Sequence, residues 1–119
     1  QAILRYLETL NPGTKTGGVV FVAGFLILNP TEHTPEEMEI VTPWLTSPIN
    51  FEKIKPMIPK CVAIFSDNDP YVSLINKDLF EKKLSARSII EHDKKHFTWW
   101  AGVMELPSVL DAVLEIAKK

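Results

Sequence analysis

Three short apolar runs stand out along the 119-residue chain, each bounded by glycine, proline or polar residues. They cover residues 18–23, 61–65 and 88–91. The first two show no polar alternation, which is typical of a strand buried on both faces. The first run continues to Leu28, where the pattern fits either more strand or a turn.

Four segments instead place apolar residues at helical spacing. They cover residues 1–10, 34 to about 43, 73–84 and 107–117. The first should end at the breaker cluster Asn11-Pro12-Gly13. The second opens with a Thr34 cap and Glu37 at its third helical position, and should end near Pro43. Residues 43–59 contain four prolines and are predicted to be mostly loop, with a short helical turn around 51–55.

The spacing also predicts which faces of the last two helices turn inward. In the segment 73–84, the apolar stripe comprises Leu74, Ile75, Leu79, Phe80 and Leu84. In the segment 107–117, it comprises Val109, Leu110, Val113, Leu114 and either Ile116 or Ala117.

Strands that alternate with helices predict an α/β fold. Continuous apolar strands need cover on both faces, so we expect a parallel sheet flanked by helices in a three-layer sandwich.

Composition narrows the class of protein. The length allows one small domain, and the formal net charge of −2 does not suggest a nucleic-acid partner. The apolar run 19–28 is too short to span a membrane, which takes about 20 residues. Cys61 is the only cysteine, so no internal disulfide can form and a cytoplasmic setting is expected. The sequence contains no recognisable metal- or cofactor-binding motif, so we expect no cofactor.

The chain opens on Gln1 and runs directly into a helical pattern. No Ser, Thr, Asp or Asn precedes that pattern to cap its first N–H groups. We therefore expect the sequence to begin inside a helix and to be part of a longer protein.

Two reactive side chains follow the second and third predicted strands. Asp69 comes shortly after the second, and His96 after the third, 27 residues later. Loops at the carboxyl ends of neighbouring parallel strands open on the same edge of the sheet. A carboxylate there could fix the tautomer of the imidazole and stabilise its protonated form, as in a hydrolase triad.

A triad also needs a nucleophile, and none is evident. The sequence contains no G-x-S-x-G turn of the kind that presents serine between a strand and a helix. In such enzymes the chain order is Ser, Asp, His, so a serine would have to precede the first helix.

Several segments resemble the small serine hydrolases related to retinoblastoma-binding protein 9, an α/β-hydrolase family. The resemblance rests on the helix at 2–8, Phe51-Glu52-Lys53-Ile54-Lys55, Ser66-Asp67-Asn68-Asp69-Pro70-Tyr71-Val72, His96-Phe97 and Glu105-Leu106-Pro107. These segments span nearly the whole chain in the order found in the family.

The resemblance implies that residues 1–119 are the C-terminal part of one α/β-hydrolase domain, whose N-terminal half would be a partner of this chain. It assigns the triad acid to Asp69 and the base to His96, and places the elbow serine about four residues before Gln1. It implies hydrolysis of an ester, thioester or amide of a small molecule, with no cofactor. One position departs from the family, which has glycine where Lys95 stands.

Other residues have structural interpretations. Asp67 is expected to bind the loop backbone, and a calcium loop starting there is excluded because Tyr71 and Val72 occupy positions that need a ligand and a glycine. His33 and His92 have no catalytic context, and His92 should end a strand. Trp99 and Trp100 could line a pocket or simply cover the sheet edge.

Trp44 and Phe51 lie in the proline-rich stretch and are candidate pocket walls. A non-catalytic protein-binding module on the same scaffold stays open as an alternative to the hydrolase, since a fold alone does not fix function. This alternative is supported by Lys95 in place of glycine, by the tryptophan pair and by the proline-rich insertion.

Overall fold

The apolar runs form a parallel sheet in the computed structural model, which describes residues 1–118. The strands are β1 (Val19–Val22), β2 (Cys61–Ser66) and β3 (Arg87–Glu91), in the order β1-β2-β3. Val20 lies opposite Val62, and Ile64 opposite Ile89. β2 is buried at every position, as its unbroken apolar pattern predicts.

Five helices flank this sheet. They are α1 (Ala2–Thr9), α2 (Pro35–Thr46), α3 (Phe51–Ile54), α4 (Ile75–Leu84) and α5 (Pro107–Ala117). The larger core cluster packs Phe65 of β2 against Leu4, Ile54 and Phe80, which come from α1, α3 and α4. On the other face, Val62 and Ile64 pack against Ala112 of α5. The expected α/β class is therefore confirmed: a parallel sheet between two layers of helices.

α2 departs from the predicted boundary because it continues through Pro43 to Thr46. Proline removes one helical hydrogen bond, but α2 contributes no buried residue, so the carbonyl left free can face water. The guanidinium of Arg5 also satisfies the end of the helix, donating to the carbonyls of Trp44 and Ser47 at 2.7 Å each. These bonds supply partners for the last carbonyls, so the helix can run past the proline.

The inward stripe predicted for α4 is wrong at Ile75, because the neighbouring Asn76 turns inward instead. Ile75 is 58% exposed, whereas Asn76 is fully buried. The Asn76 carboxamide accepts from the backbone N–H groups of Leu26 and Ile27 at 2.7 and 3.1 Å, and donates to the carbonyl of Ile27 at 3.0 Å. Asn76 therefore ties the loop after β1 to α4, and the apolar run to Leu28 continues as this loop rather than as strand.

The stripe predicted for α5 is also only partly correct. Val109 and Ile116 pack against the sheet, but Leu110, Val113 and Leu114 are 46–60% exposed. Ala112 is the buried residue of α5 and packs against Val62 and Ile64 of β2. Among residues 1–118, no helix is both long and apolar enough to cross a membrane.

Candidate functional site

The loops that follow β2 and β3 meet at the carboxyl edge of the sheet. There the structure brings Asp69 and His96 together, with 2.7 Å between Oδ2 of Asp69 and Nδ1 of His96. The Asp69 side chain is 1% exposed and the His96 side chain 36% exposed. A buried carboxylate thus contacts an imidazole that still reaches solvent.

Asp69 is held in place by the start of the next segment. Its Oδ1 accepts from the backbone N–H groups of Tyr71 and Val72, at 2.9 and 3.0 Å. This is the turn chemistry expected of an Asp-Pro sequence, and it leaves Oδ2 to face His96. An ionised carboxylate only accepts hydrogen bonds, so in a neutral His96 imidazole the contact places the proton on Nδ1 and leaves the lone pair on Nε2. The arrangement can hold a general base in one tautomer.

The loop that carries His96 has an unusual backbone. Asp93, Lys95 and Phe97 all have positive φ, at 54°, 47° and 54°. Glycine adopts this left-handed region without strain and aspartate does so occasionally, whereas lysine and phenylalanine rarely do. Position 95 is the one where the resemblance expects glycine, so Lys95 keeps the backbone conformation that glycine would have favoured.

Polar side chains of the β2 loop fix this strained segment. Oδ1 of Asn68 accepts from the backbone N–H of Lys95 at 2.9 Å and from the Ser66 hydroxyl at 2.9 Å. The same hydroxyl accepts from the backbone N–H of Lys94 at 3.1 Å, and Nδ2 of Asn68 donates to Asp93 at 2.6 Å. Sequence reasoning missed the roles of Ser66 and Asn68, whose only mark in the sequence is their place in the polar loop before Asp69.

A second aspartate–histidine pair lies beside the first. Asp67 Oδ2 and His92 Nδ1 are 2.6 Å apart, and Oδ1 of Asp67 accepts from the backbone N–H of Asp93 at 3.0 Å. The bond to Asp93 is the main cause that lowers the pKa of Asp67, and the bond to Asp67 is the main cause that raises the pKa of His92. The side chain of His92 is 87% exposed, so this pair is a surface contact of the loop.

His96 opens onto a cavity of about 480 Å³. Its walls include Phe25 and Leu28 from the loop after β1 and Val41 from α2. The Tyr71 ring contacts His96 edge to face, with centroids 5.3 Å apart, and its centroid lies 5.5 Å from that of the His33 ring. His33, for which no function was predicted, therefore lines the same cavity as His96.

Tyr71 and His96 also line a smaller cavity of about 180 Å³, together with Lys95 and Trp100. Trp100 is 86% exposed, and its ring packs edge to face on Trp99 at 4.3 Å. One member of the tryptophan pair thus does line a cavity beside His96.

Trp44 and Phe51 line a different cavity, of about 260 Å³, which does not include His96. Trp44 lies on α2 rather than in a loop. Burial raises the pKa of the Cys61 thiol to about 11, so this thiol stays protonated and unreactive. Within residues 1–118, no three His, Cys, Asp or Glu side chains converge as metal ligands would.

The arrangement of strands and helices defines the class of this structure. It is an α/β fold, with parallel strands in an open sheet between helices. The structure of the ydeN gene product from B. subtilis superposes with a TM-score of 0.85 at 24% sequence identity. The match covers 99% of this chain and 60% of that one, so this chain spans about three fifths of the length of its structural neighbour. No protein-family profile and no curated protein sequence matches the chain.

Proposed function

We propose that this chain supplies the acid and the base of a serine hydrolase that cleaves esters, thioesters or amides. The observation that carries the proposal is the 2.7 Å contact between the buried Asp69 carboxylate and the partly exposed His96. The α/β-hydrolase-like fold supports it, because such folds place functional groups at this edge of the sheet. The nucleophilic serine would come from sequence outside residues 1–119. We propose that the protein acts in the reducing environment of the cytosol.

In the proposed reaction, Nε2 of His96 removes the proton of the serine hydroxyl as its oxygen attacks the substrate carbonyl. Asp69 stabilises the imidazolium that forms. The imidazolium then protonates the leaving alcohol, thiol or amine, and an acyl-serine remains. Water attacks this acyl group with His96 again as base, which releases the acid and restores the serine. Donors for the oxyanion would also lie outside this chain.

Labelling of the full-length protein with a fluorophosphonate, combined with ester turnover, tests the proposal. We expect one serine to be labelled, and His96→Ala to lower turnover by roughly 10²–10⁴-fold because the base is lost. His92→Ala is the matched control, since it also removes a histidine bonded to an aspartate in the same loop. Equal turnover in the two variants would remove His96 from the mechanism.

A second candidate, a non-catalytic protein-binding module, has support from two observations. Lys95 stands where the resembled family has glycine, and Trp99 and Trp100 expose 61% and 86% of their surfaces. A full-length sequence without G-x-S-x-G before Gln1, together with no labelling, would favour this candidate.

A further inference from the structure

The larger cavity beside His96 has an acidic wall. Glu32 and Glu37 contribute to its lining, and none of its lining residues is a lysine or an arginine. The sequence shows the same excess of negative charge: residues 16–52 contain five glutamates and no lysine or arginine. The remaining wall is mostly apolar or aromatic.

The Glu37 carboxylate is held rather than mobile. Its Oε2 accepts from the backbone N–H of Thr34 at 2.8 Å, while the Thr34 hydroxyl accepts from the N–H of Glu37 at 3.2 Å. This reciprocal capping box at the start of α2 fixes the position of the charge. An already positioned charge loses little side-chain entropy when a ligand arrives.

His33 lies between this carboxylate and Tyr71. Its Nδ1 is 3.7 Å from Oε2 of Glu37, and its ring packs on Tyr71. Among the described residues, the buried Nε2 of His33 has no hydrogen-bond partner. The lining of the cavity thus combines negative charge with aromatic rings, a combination that attracts organic cations.

We propose that this cavity selects substrates in which the group next to the scissile bond is apolar and carries a positive charge, such as a substituted ammonium. The inference rests on the proposed hydrolase function and names the substrate class of that site. Phe25, Leu28 and Val41 would contact the hydrocarbon, and Glu32 and Glu37 would attract the charge. A carboxylate on the same group would be repelled by both glutamates.

The test uses the full-length protein and two pairs of esters that differ only in charge. One pair carries trimethylammonium or tert-butyl on the acyl chain: 4-nitrophenyl 4-(trimethylammonio)butanoate and 4-nitrophenyl 5,5-dimethylhexanoate. The other carries the same two groups on the alcohol: choline butanoate and 3,3-dimethylbutyl butanoate. In at least one pair, kcat/KM for the cation should exceed that for the neutral ester by roughly five- to tenfold, a modest ratio because both carboxylates reach solvent.

Variants assign any preference to the cavity. Glu32→Gln and Glu37→Gln should each lower the cation-to-neutral ratio by roughly two- to fivefold. Glutamine at position 37 keeps the capping box, so the change removes charge without removing the start of α2. Glu39→Gln, on an exposed residue of the same helix outside this cavity, should leave the ratio unchanged. The preference should also shrink in 0.5 M NaCl, since salt screens exposed charges.

Three results would overturn the inference. If the neutral esters are hydrolysed but neither pair favours the cation, the substrate class is wrong and the hydrolase proposal stands. If the preference for the cationic ester survives both Glu32→Gln and Glu37→Gln, the cavity does not select the substrate, and the hydrolase proposal again stands. If no ester is hydrolysed and the fluorophosphonate labels no serine, the hydrolase proposal fails, and this inference with it.

Discussion

The backbone N–H of Lys95 donates to Oδ1 of Asn68 at 2.9 Å while Lys95 holds a left-handed φ of 47°. This bond joins the loop after β3 to the loop after β2 next to His96. A side chain in this backbone region costs about 1–2 kcal/mol, a strain that glycine does not have. The bond to Asn68 is one of the contacts that hold the loop in this conformation.

Replacing Lys95 with glycine should therefore stabilise the protein. We expect Lys95→Gly to raise the free energy of unfolding by about 1 kcal/mol, after allowing for the greater entropy of glycine in the unfolded chain. Urea denaturation measures the change. Lys95→Gln is the control because it removes the charge and keeps the strain, so its stability should stay close to that of the parent. Stabilisation by Lys95→Gln of the same size would assign the effect to charge instead.

Asp69→Asn should separate the geometry of the site from its chemistry. The new carbonyl oxygen can still accept from the N–H groups of Tyr71 and Val72, so the loop should keep its shape. The carboxamide nitrogen would then donate to Nδ1 of His96, which forces the proton onto Nε2 and removes the base. We expect kcat of the full-length protein to fall by roughly 10²–10⁴-fold, the range expected for loss of the base, with little change in KM.

The control for Asp69→Asn is Asp67→Asn, which alters the exposed aspartate–histidine pair of the same loops. Its kcat should fall far less. Comparable losses in the two variants would indicate that both act by disturbing the loop, and would contradict a specific role for Asp69.

The order of helices and strands followed from the hydrophobic pattern because each element buries an apolar face. The pattern failed where a polar side chain satisfies backbone groups at a distance. α2 passes Pro43 because Arg5, about forty residues away in sequence, binds the carbonyls at its end. The sequence of residues 34–46 alone therefore could not predict the contact with Arg5. The loop positions of Asp69 and His96 were predictable, whereas the position of His33 depends on how the segment before α2 packs against Tyr71.

Asn76 and Ile75 test whether backbone hydrogen bonds can override the hydrophobic pattern. The helical periodicity predicted that Ile75 would be buried, but the structure buries Asn76. Asn76→Leu keeps a similar volume but leaves the backbone N–H groups of Leu26 and Ile27 without their acceptor. A buried group without a partner costs about 1–3 kcal/mol, and these two groups are partly shielded from water, so we expect a loss of about 2 kcal/mol in the free energy of unfolding. Ile75→Ala, at a position 58% exposed, should cost less than about 0.5 kcal/mol. Urea denaturation of both variants checks the order, and a larger loss for Ile75→Ala would contradict the structure.

The Asp67–His92 pair predicts a dependence on pH that is separate from catalysis. The hydrogen bond to Asp67 raises the pKa of His92, so this imidazole should titrate above its ordinary range in an NMR titration. A raised histidine pKa stabilises the fold below the unfolded-state pKa, and this contribution is lost as pH rises through the folded-state value. The bond to the Asp93 N–H and the bond to His92 lower the pKa of Asp67, whose contribution is lost as pH falls through its folded value. The pair therefore contributes most in mildly acidic solution, between the two titrations.

Asp67→Asn should return the pKa of His92 to its ordinary range and flatten that part of the stability profile. The backbone bond to Asp93 can survive in this variant, because the asparagine oxygen still accepts. The measured contribution should be small, since both side chains are exposed and solvent screens their attraction. An unchanged His92 titration in Asp67→Asn would show that the raised pKa has another source, such as the neighbouring Glu91 carboxylate.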